Sequence, residues 1–175
     1  MKTLYKYLIL MLLLVFVSCG EKNTKPAVSV TKDEMKSSME KANRYLRNEE
    51  EEDIENYVRR HEMTPIKTGT GLRYQILKQG SEQKIEKGDV VTFEYELYSI
   101  AGDLIYSSES DGVRSFVVGE GSVEAGLEEV MNYLHRGDVA KVIIPFHLGY
   151  GLHGDDNKIP EYATLVYTIK IIDNQ

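Results

Sequence analysis

The chain has 175 residues, of which 42% are hydrophobic and 28% charged, so it has room for one globular domain and an additional segment. Its formal net charge is −7 and it has no basic stripe, which argues against nucleic acid as a partner. Cys19 is its one cysteine, so an internal disulfide is excluded and no second thiol is open to oxidation.

The first 18 residues predict a secretion signal that does not belong to the fold. Lys2 and Lys6 form a short basic region, and residues 7–17 form an apolar run too short to span a membrane stably. The run ends in Phe16-Val17-Ser18-Cys19, which resembles the cleavage site of bacterial lipoproteins, although its first two residues are not the usual ones. An uncleaved anchor and a plain signal peptide are the alternatives.

Lipid on Cys19 would anchor the mature chain to a membrane of the cell envelope. Cleavage removes two lysines and makes the chain more acidic, so anchoring would rest on the lipid and not on attraction to anionic headgroups. Gly20 follows the cysteine, where an aspartate commonly signals retention, which favours the outer membrane and a periplasmic domain. Residues 19–30 are polar and predict a flexible tether.

Residues 31–66 predict a helical N-terminal arm. Thr31 and Glu34 form a capping-box pattern at its start. Apolar residues then recur at the spacing of one helix face, at Met35, Met39, Ala42 and Leu46. This stripe is typical of packing, and a homodimer through residues 31–62 is one way to cover it.

A second helix is expected over residues 50–61, with Asn48 as its cap and Pro65 as its stop. The acidic run at 49–53 could contact a basic partner. More commonly such a run is a solvated helix start, where carboxylates suit the positive end of the helix dipole.

From Leu72 the apolar period changes to that of β-strands. Alternating residues predict strands at 72–76 and 91–97. Further strands are expected at 104–107, 116–118 and 139–144, and an apolar strand at 163–172, with one helix at 123–134 and a long loop at 146–160. This order indicates an α+β domain over residues 67–175, in which a mostly antiparallel, curved sheet packs on one short helix.

The chain lacks the residue patterns that several enzyme classes require. There is no G-x-S-x-G nucleophile pattern, and Gly119-Glu120-Gly121 has Glu124 where a nucleotide-binding loop has its third glycine. His147 and His153 share a loop with two aspartates, but their spacing matches no known ligand motif. We therefore expect neither a metal nor a cofactor.

The stretch from Gly88 to Ile172 resembles the FKBP-type peptidyl-prolyl cis-trans isomerases, in the family's order and almost without gaps. The resemblance is carried by Gly88-Asp89-Val90-Val91, Ser107-Ser108, Phe116-Val117-Val118-Gly119, Gly126-Leu127-Glu128-Glu129, Leu134-His135-Arg136-Gly137-Asp138, Val142-Ile143-Ile144-Pro145, Gly149-Tyr150-Gly151, Ile159-Pro160 and Ala163-Thr164-Leu165-Val166-Tyr167. The resemblance implies rotation of X–Pro amides, a reaction whose barrier of roughly 18–20 kcal/mol comes from amide resonance and needs no cofactor. An apolar pocket would bind the twisted amide better than either planar form.

Carried over position by position, the resemblance implies catalytic roles for Tyr95, Tyr150 and Glu124. Tyr150 would offer its hydroxyl to the peptide, and Glu124 would act through its backbone N–H. The substrate pocket would comprise Ile105, Tyr106, Val123, Leu127, Ile159 and Tyr167.

The chain also departs from the family's pattern. Leu127 stands in place of the usual tryptophan, Tyr106 in place of aspartate, and Ile105 in place of phenylalanine; Arg114 replaces another aromatic residue, and Tyr167 a phenylalanine. These changes leave open a catalytically weak module that binds a partner in an envelope complex.

The lead-in at residues 67–74, with helices before it, is similar to longer exported FKBP lipoproteins, including those associated with bacterial gliding motility. The resemblance thus implies a lipid-anchored isomerase whose clients are X–Pro segments of exported proteins.

Overall fold

The structure is a computed structural model, and it describes residues 31–172. The predicted signal sequence, Cys19 and the tether lie outside the described residues. Within residues 31–172, none of the helices is both long and apolar enough to cross a bilayer.

Three α-helices and seven strands make up the described chain. The helices are α1 (Lys32–Arg60), α2 (Ser108–Asp111) and α3 (Ala125–Met131), with a 3₁₀ turn at Phe146–Leu148. The strands are β1 (Ile66–Lys67), β2 (Arg73–Lys78), β3 (Val90–Ser99), β4 (Leu104–Ser107), β5 (Arg114–Val117), β6 (Val139–Ile144) and β7 (Leu165–Ile171).

Helix α1 begins with the predicted capping box. The Thr31 N–H donates to Glu34 Oε2 at 2.9 Å, and the Glu34 N–H donates back to Thr31 Oγ1 at 3.3 Å. The predicted break at Asn48 is wrong, because the helix runs through it without interruption. The neighbouring arginine and glutamates are strong helix formers, and no glycine or proline opposes them.

The strands form one sheet in the order β1-β2-β6-β7-β3-β4, and β5 pairs with β3 beside it. Every named pairing is antiparallel. The long strand β3 therefore holds three neighbours at once. The α+β prediction is confirmed, and α3 is shorter than the expected 123–134 because turn hydrogen bonds replace helix after Met131.

The main core lies between α3 and one face of the sheet. Inward residues alternate along β3 and β7, and the α3 residues Leu127, Val130 and Met131 are fully buried against them. Gly126 allows this close approach, because a Cβ there would lie 2.5 Å from Ile144 Cγ2.

The second half of α1 covers the opposite face of the sheet. Ile54 and Tyr57 are buried in a smaller cluster with Ile143 and Val166, whose neighbours along each strand face the main core. Burial on both faces explains why β6 and β7 each contain three consecutive buried apolar residues. A single covering helix was expected, and the structure has one on each face.

Arg73 joins α1 to the sheet through a buried charge. Its side chain is only 2% exposed, and Nη2 donates to Glu51 Oε1 and Glu55 Oε1 at 2.7 Å each. Arg73 lies on the face of β2 opposite to that of its neighbour Tyr74, which belongs to the main core. On this face of the sheet the Arg73 side chain is covered by α1 and shielded from water.

Candidate functional site

A pocket of about 290 Å³ opens where β3, β4, β5 and β7 meet the long loop after the 3₁₀ turn. Its lining residues are Tyr95, Leu97, Tyr106, Asp111, Arg114, Tyr150, Asp155 and Tyr167. Four of the nine predicted site residues therefore meet there, and all four are tyrosines. A larger depression of about 540 Å³ elsewhere on the sheet includes Tyr95 alone of the nine.

The other five predicted residues lie around or beneath this pocket. Glu124 is buried and hydrogen bonded to Tyr150 of the lining. The remaining four belong to the adjoining core cluster: Ile105, Val123, Leu127 and Ile159. Leu127 has no exposed surface, so in this structure it supports the pocket from below.

Glu124 and Arg114 form an ion pair at the pocket floor. Arg114 Nη1 donates to Glu124 Oε1 at 3.1 Å and Nη2 donates to Oε2 at 3.0 Å, so the pair is bidentate. The Glu124 side chain is 3% exposed and that of Arg114 is 28% exposed. Only the arginine side of the pair is therefore open to the pocket.

Two tyrosine hydroxyls complete the coordination of the carboxylate. Tyr150 Oη donates to Glu124 Oε1 at 2.5 Å, and Tyr167 Oη donates to the same atom at 3.1 Å. Tyr167 Oη in turn accepts from Arg114 Nη1 at 3.2 Å. Sequence reasoning assigned Glu124 a backbone role, but its side chain connects three other residues of the site.

The network keeps each group in its expected charge state. Burial by itself would raise the pKa of Glu124, but hydrogen bonds and charge from Arg114, with the Tyr150 hydroxyl, outweigh it and leave that pKa lowered. Burial and the carboxylate raise the pKa values of Tyr150 and Tyr167. Burial opposes the charge of Arg114, yet Glu124 reverses the effect and raises the guanidinium pKa. At neutral pH the floor is therefore a carboxylate, a guanidinium and two neutral phenols.

Aromatic rings hold the guanidinium from the side. The Arg114 Cζ atom lies 5.9 Å from the ring centroids of both Phe93 and Tyr95. Phe93 and Arg114 are direct cross-strand partners between β3 and β5. The β5 register thus places the cation under the aromatic wall.

A second polar pair forms the opposite rim. Tyr106 Oη donates to Asp155 Oδ2 at 2.5 Å, and the Ile159 N–H donates to Asp155 Oδ1 at 2.7 Å. Lys158 Nζ lies 4.7 Å from the Tyr106 ring centroid. A carboxylate therefore reaches the pocket from the long loop, although β4 carries a tyrosine where the family has aspartate.

The floor is more polar than the sequence analysis expected. The apolar pocket inferred from the resemblance is wrong for this floor, which is an ion pair flanked by phenols. Sequence reasoning noted Arg114 as a departure but missed its partner, and it missed the lining roles of Leu97, Asp111 and Asp155. The usable signal was an arginine at a position where the family has an aromatic residue, followed ten residues later by a glutamate.

The two loop histidines do not converge on the site. His147 Nε2 lies 3.1 Å from the Thr70 carbonyl oxygen, and residues 31–172 contain no group of three His, Cys, Asp or Glu side chains arranged to hold a metal.

The fold is an antiparallel sheet that packs one face on the short helix α3, and four tyrosines line its pocket. The family model for FKBP-type peptidyl-prolyl cis-trans isomerases matches residues 81–172, just over half of the chain. The chain therefore belongs to this family of enzymes, as the sequence analysis predicted.

Particular relatives support the same assignment. The chain is 37% identical over 106 residues to a probable FKBP-type peptidyl-prolyl cis-trans isomerase FkpA of Neisseria meningitidis, covering 60% of this chain and 38% of that one. It is 29% identical over 103 residues to an FK506-binding protein of the same species, covering 58% of this chain and 94% of that one. The crystal structure of AtFKBP13 superposes with a TM-score of 0.60 at 22% identity, covering 64% of this chain and 99% of that chain, which shows the fold. The chain spans less than half the length of the first curated relatives that it matches.

Proposed function

We propose that this protein catalyses the cis-trans isomerisation of X–Pro bonds in exported proteins. The observation that carries the proposal is the convergence of Tyr95, Tyr106, Tyr150 and Tyr167 on one pocket in a domain of the FKBP family. Each of the four comes from a different segment of the chain, so the fold and not local sequence creates the site.

The reaction requires no covalent chemistry from the protein. Rotation about an X–Pro bond breaks no covalent bond and requires no nucleophile. The protein must bind the twisted amide better than the planar one. A pocket with aromatic walls and fixed polar groups can hold the proline ring and orient the flanking peptide.

The test is an isomerisation assay with short peptides that vary the residue before proline. Tyr150→Ala removes a half-buried ring from the pocket lining, whereas Tyr45→Ala removes a ring on α1 that is 61% exposed. We expect kcat/KM to fall by about tenfold or more in the first variant and to stay unchanged in the second. No acceleration by the unaltered protein with any peptide would refute the proposal.

The polar floor favours a second candidate, a binding module that does not catalyse turnover. A bidentate ion pair with two attached phenols could recognise polar peptide groups without lowering the rotation barrier. Chemical-shift changes at the pocket on addition of a proline peptide, without isomerase activity, would establish this role.

We further propose that lipid on Cys19 confines the domain to the cell envelope, with the outer membrane favoured. The support is the signal-like sequence of residues 1–18, the single cysteine and Gly20 after it. Cys19→Ser should move the protein from the membrane fraction to the soluble fraction, and an unchanged distribution would refute lipid anchoring.

The process served is proposed from the same resemblance to exported FKBP lipoproteins. Gliding motility is the candidate, with envelope proteins that contain X–Pro bonds as clients. Deletion should reduce spreading of colonies on a surface, and complementation with the Tyr45→Ala form should restore it. Unimpaired spreading of the deletion strain would exclude this process.

A further inference from the structure

Three of the four tyrosine hydroxyls that line the pocket already donate within the protein. Each tyrosine hydroxyl has one proton to donate. Those of Tyr150 and Tyr167 go to Glu124, and that of Tyr106 goes to Asp155. A carboxylate that stays ionised accepts only, so these three hydroxyls have no proton left to donate to a ligand.

Arg114 is different because its donors outnumber its partners. A guanidinium carries five N–H groups in a rigid plane. Within residues 31–172, two donate from Nη1, to Glu124 and Tyr167, and one donates from Nη2 to Glu124. The Nε–H and the second Nη2 hydrogen have no partner among these residues. The side chain lines the pocket and is 28% exposed, so a ligand can reach it.

The chemistry of the twisted amide calls for such a donor. In the planar amide the nitrogen lone pair is delocalised into the carbonyl group. Rotation ends this delocalisation and leaves a localised lone pair on the proline nitrogen. A donor placed at that nitrogen stabilises the transition state and has little to bind in the ground state.

We propose that Arg114 is a catalytic residue that donates a hydrogen bond to the proline nitrogen as the X–Pro amide twists. The proposal rests on the isomerase activity proposed above. No proton is transferred, and the guanidinium stays charged throughout. Glu124, Tyr167 and the rings of Phe93 and Tyr95 are positioning residues, because they fix the plane of the guanidinium.

This role accounts for a charged floor in a site of this family. Burying a carboxylate beneath an arginine costs desolvation free energy, because both ions lose hydration. A purely apolar pocket would not need such a pair. As the support of a preoriented cation, it has a function. The polar floor then acts through a directed hydrogen-bond donor, whereas an apolar floor would act by excluding water.

The test compares Arg114→Lys with Arg136→Lys in the full-length protein. Lysine at 114 keeps the charge beside Glu124 but loses the planar fork. Arg136 is a matched control, because it is also largely buried and pairs with a carboxylate, Asp89, at 3.1 Å outside the pocket lining. We expect kcat to fall by about tenfold or more in Arg114→Lys, with KM changed less than about threefold. Arg136→Lys should change neither constant.

A charge-balanced variant separates catalysis from folding. Arg114→Met combined with Glu124→Gln removes both ions, so no unpaired charge remains buried. Its kcat should fall at least as far as that of Arg114→Lys while the peptide still binds. Unchanged kcat in both Arg114 variants, with an active parent protein, would overturn the role of Arg114 alone. An inactive parent protein would instead overturn the isomerase function, and the Arg114 role with it.

Discussion

Removing the two glutamates beside Arg73 should destabilise the protein far more than removing Arg73 itself. The guanidinium is 2% exposed, whereas the side chains of Glu51 and Glu55 are 43% and 57% exposed. The change consists of two sets of substitutions at one cluster: Glu51→Gln with Glu55→Gln, and Arg73→Met. Burial alone would raise the pKa of Glu51, but hydrogen bonds and charge from Lys67 and Arg73 lower it, so the carboxylate is ionised at neutral pH.

The magnitudes follow from what each change leaves behind. Without the glutamates, a buried guanidinium keeps its charge without compensation, which costs about 3–5 kcal/mol. Without Arg73, two half-exposed carboxylates return to water, and each lost pair contributes about 0.2–1 kcal/mol. At about 2–4 °C per kcal/mol, the glutamate variant should unfold roughly 6–20 °C lower. The methionine variant loses two pairs, or about 0.4–2 kcal/mol, and should unfold only about 1–8 °C lower.

Thermal unfolding followed by circular dichroism measures the difference. The triple variant with all three changes should recover most of the stability lost in the glutamate pair, because it removes the unpaired charge. Glu94→Gln is the exposed control, since Glu94 pairs with Lys170 at 2.9 Å and both are about half exposed. Equal losses in the glutamate and arginine variants would refute the claim that Arg73 is desolvated beneath α1.

Three further predictions concern packing and charge. Gly80→Ala should lose about 1–3 kcal/mol in urea unfolding, because its Cβ would lie 2.2 Å from the Arg136 carbonyl oxygen; Gly69→Ala, with nothing within 4 Å, should lose almost none. Ile54→Ala should lose about 2–5 kcal/mol, because this α1 side chain is 1% exposed against the sheet, and a loss below 1 kcal/mol would show that α1 does not pack there. The lowered pKa of Glu124 contributes stability that is present above its unfolded pKa of about 4.3 and is lost as pH falls through the lower folded value. Glu124→Gln should abolish this acid-side dependence of the unfolding free energy, and an identical pH profile would argue against the ion pair.

Local sequence determined the elements with the strongest patterns. Patterns of apolar residues, alternating in β2 and β3, predicted the strands from β2 to β7, and the capping box predicted the start of α1 within a residue. The resemblance supplied the pocket residues, four of which line one cavity. The strands and the helix start follow from short-range rules, because side-chain direction in a strand has period two and a capping box joins neighbours in the chain.

Tertiary structure decided the features that join distant segments. Sequence alone could not show that α1 covers the second face of the sheet, because the acidic run within this helix looks solvated from the pattern of charges. Nor could it pair Arg114 of β5 with Glu124 before α3, because antiparallel register and helix placement bring them together. Arg114 alone looks like the loss of an aromatic group, and Glu124 alone looks like a residue that acts through its backbone N–H. Their 3.0 Å contact makes them a single charged floor, and that contact exists only in the folded chain.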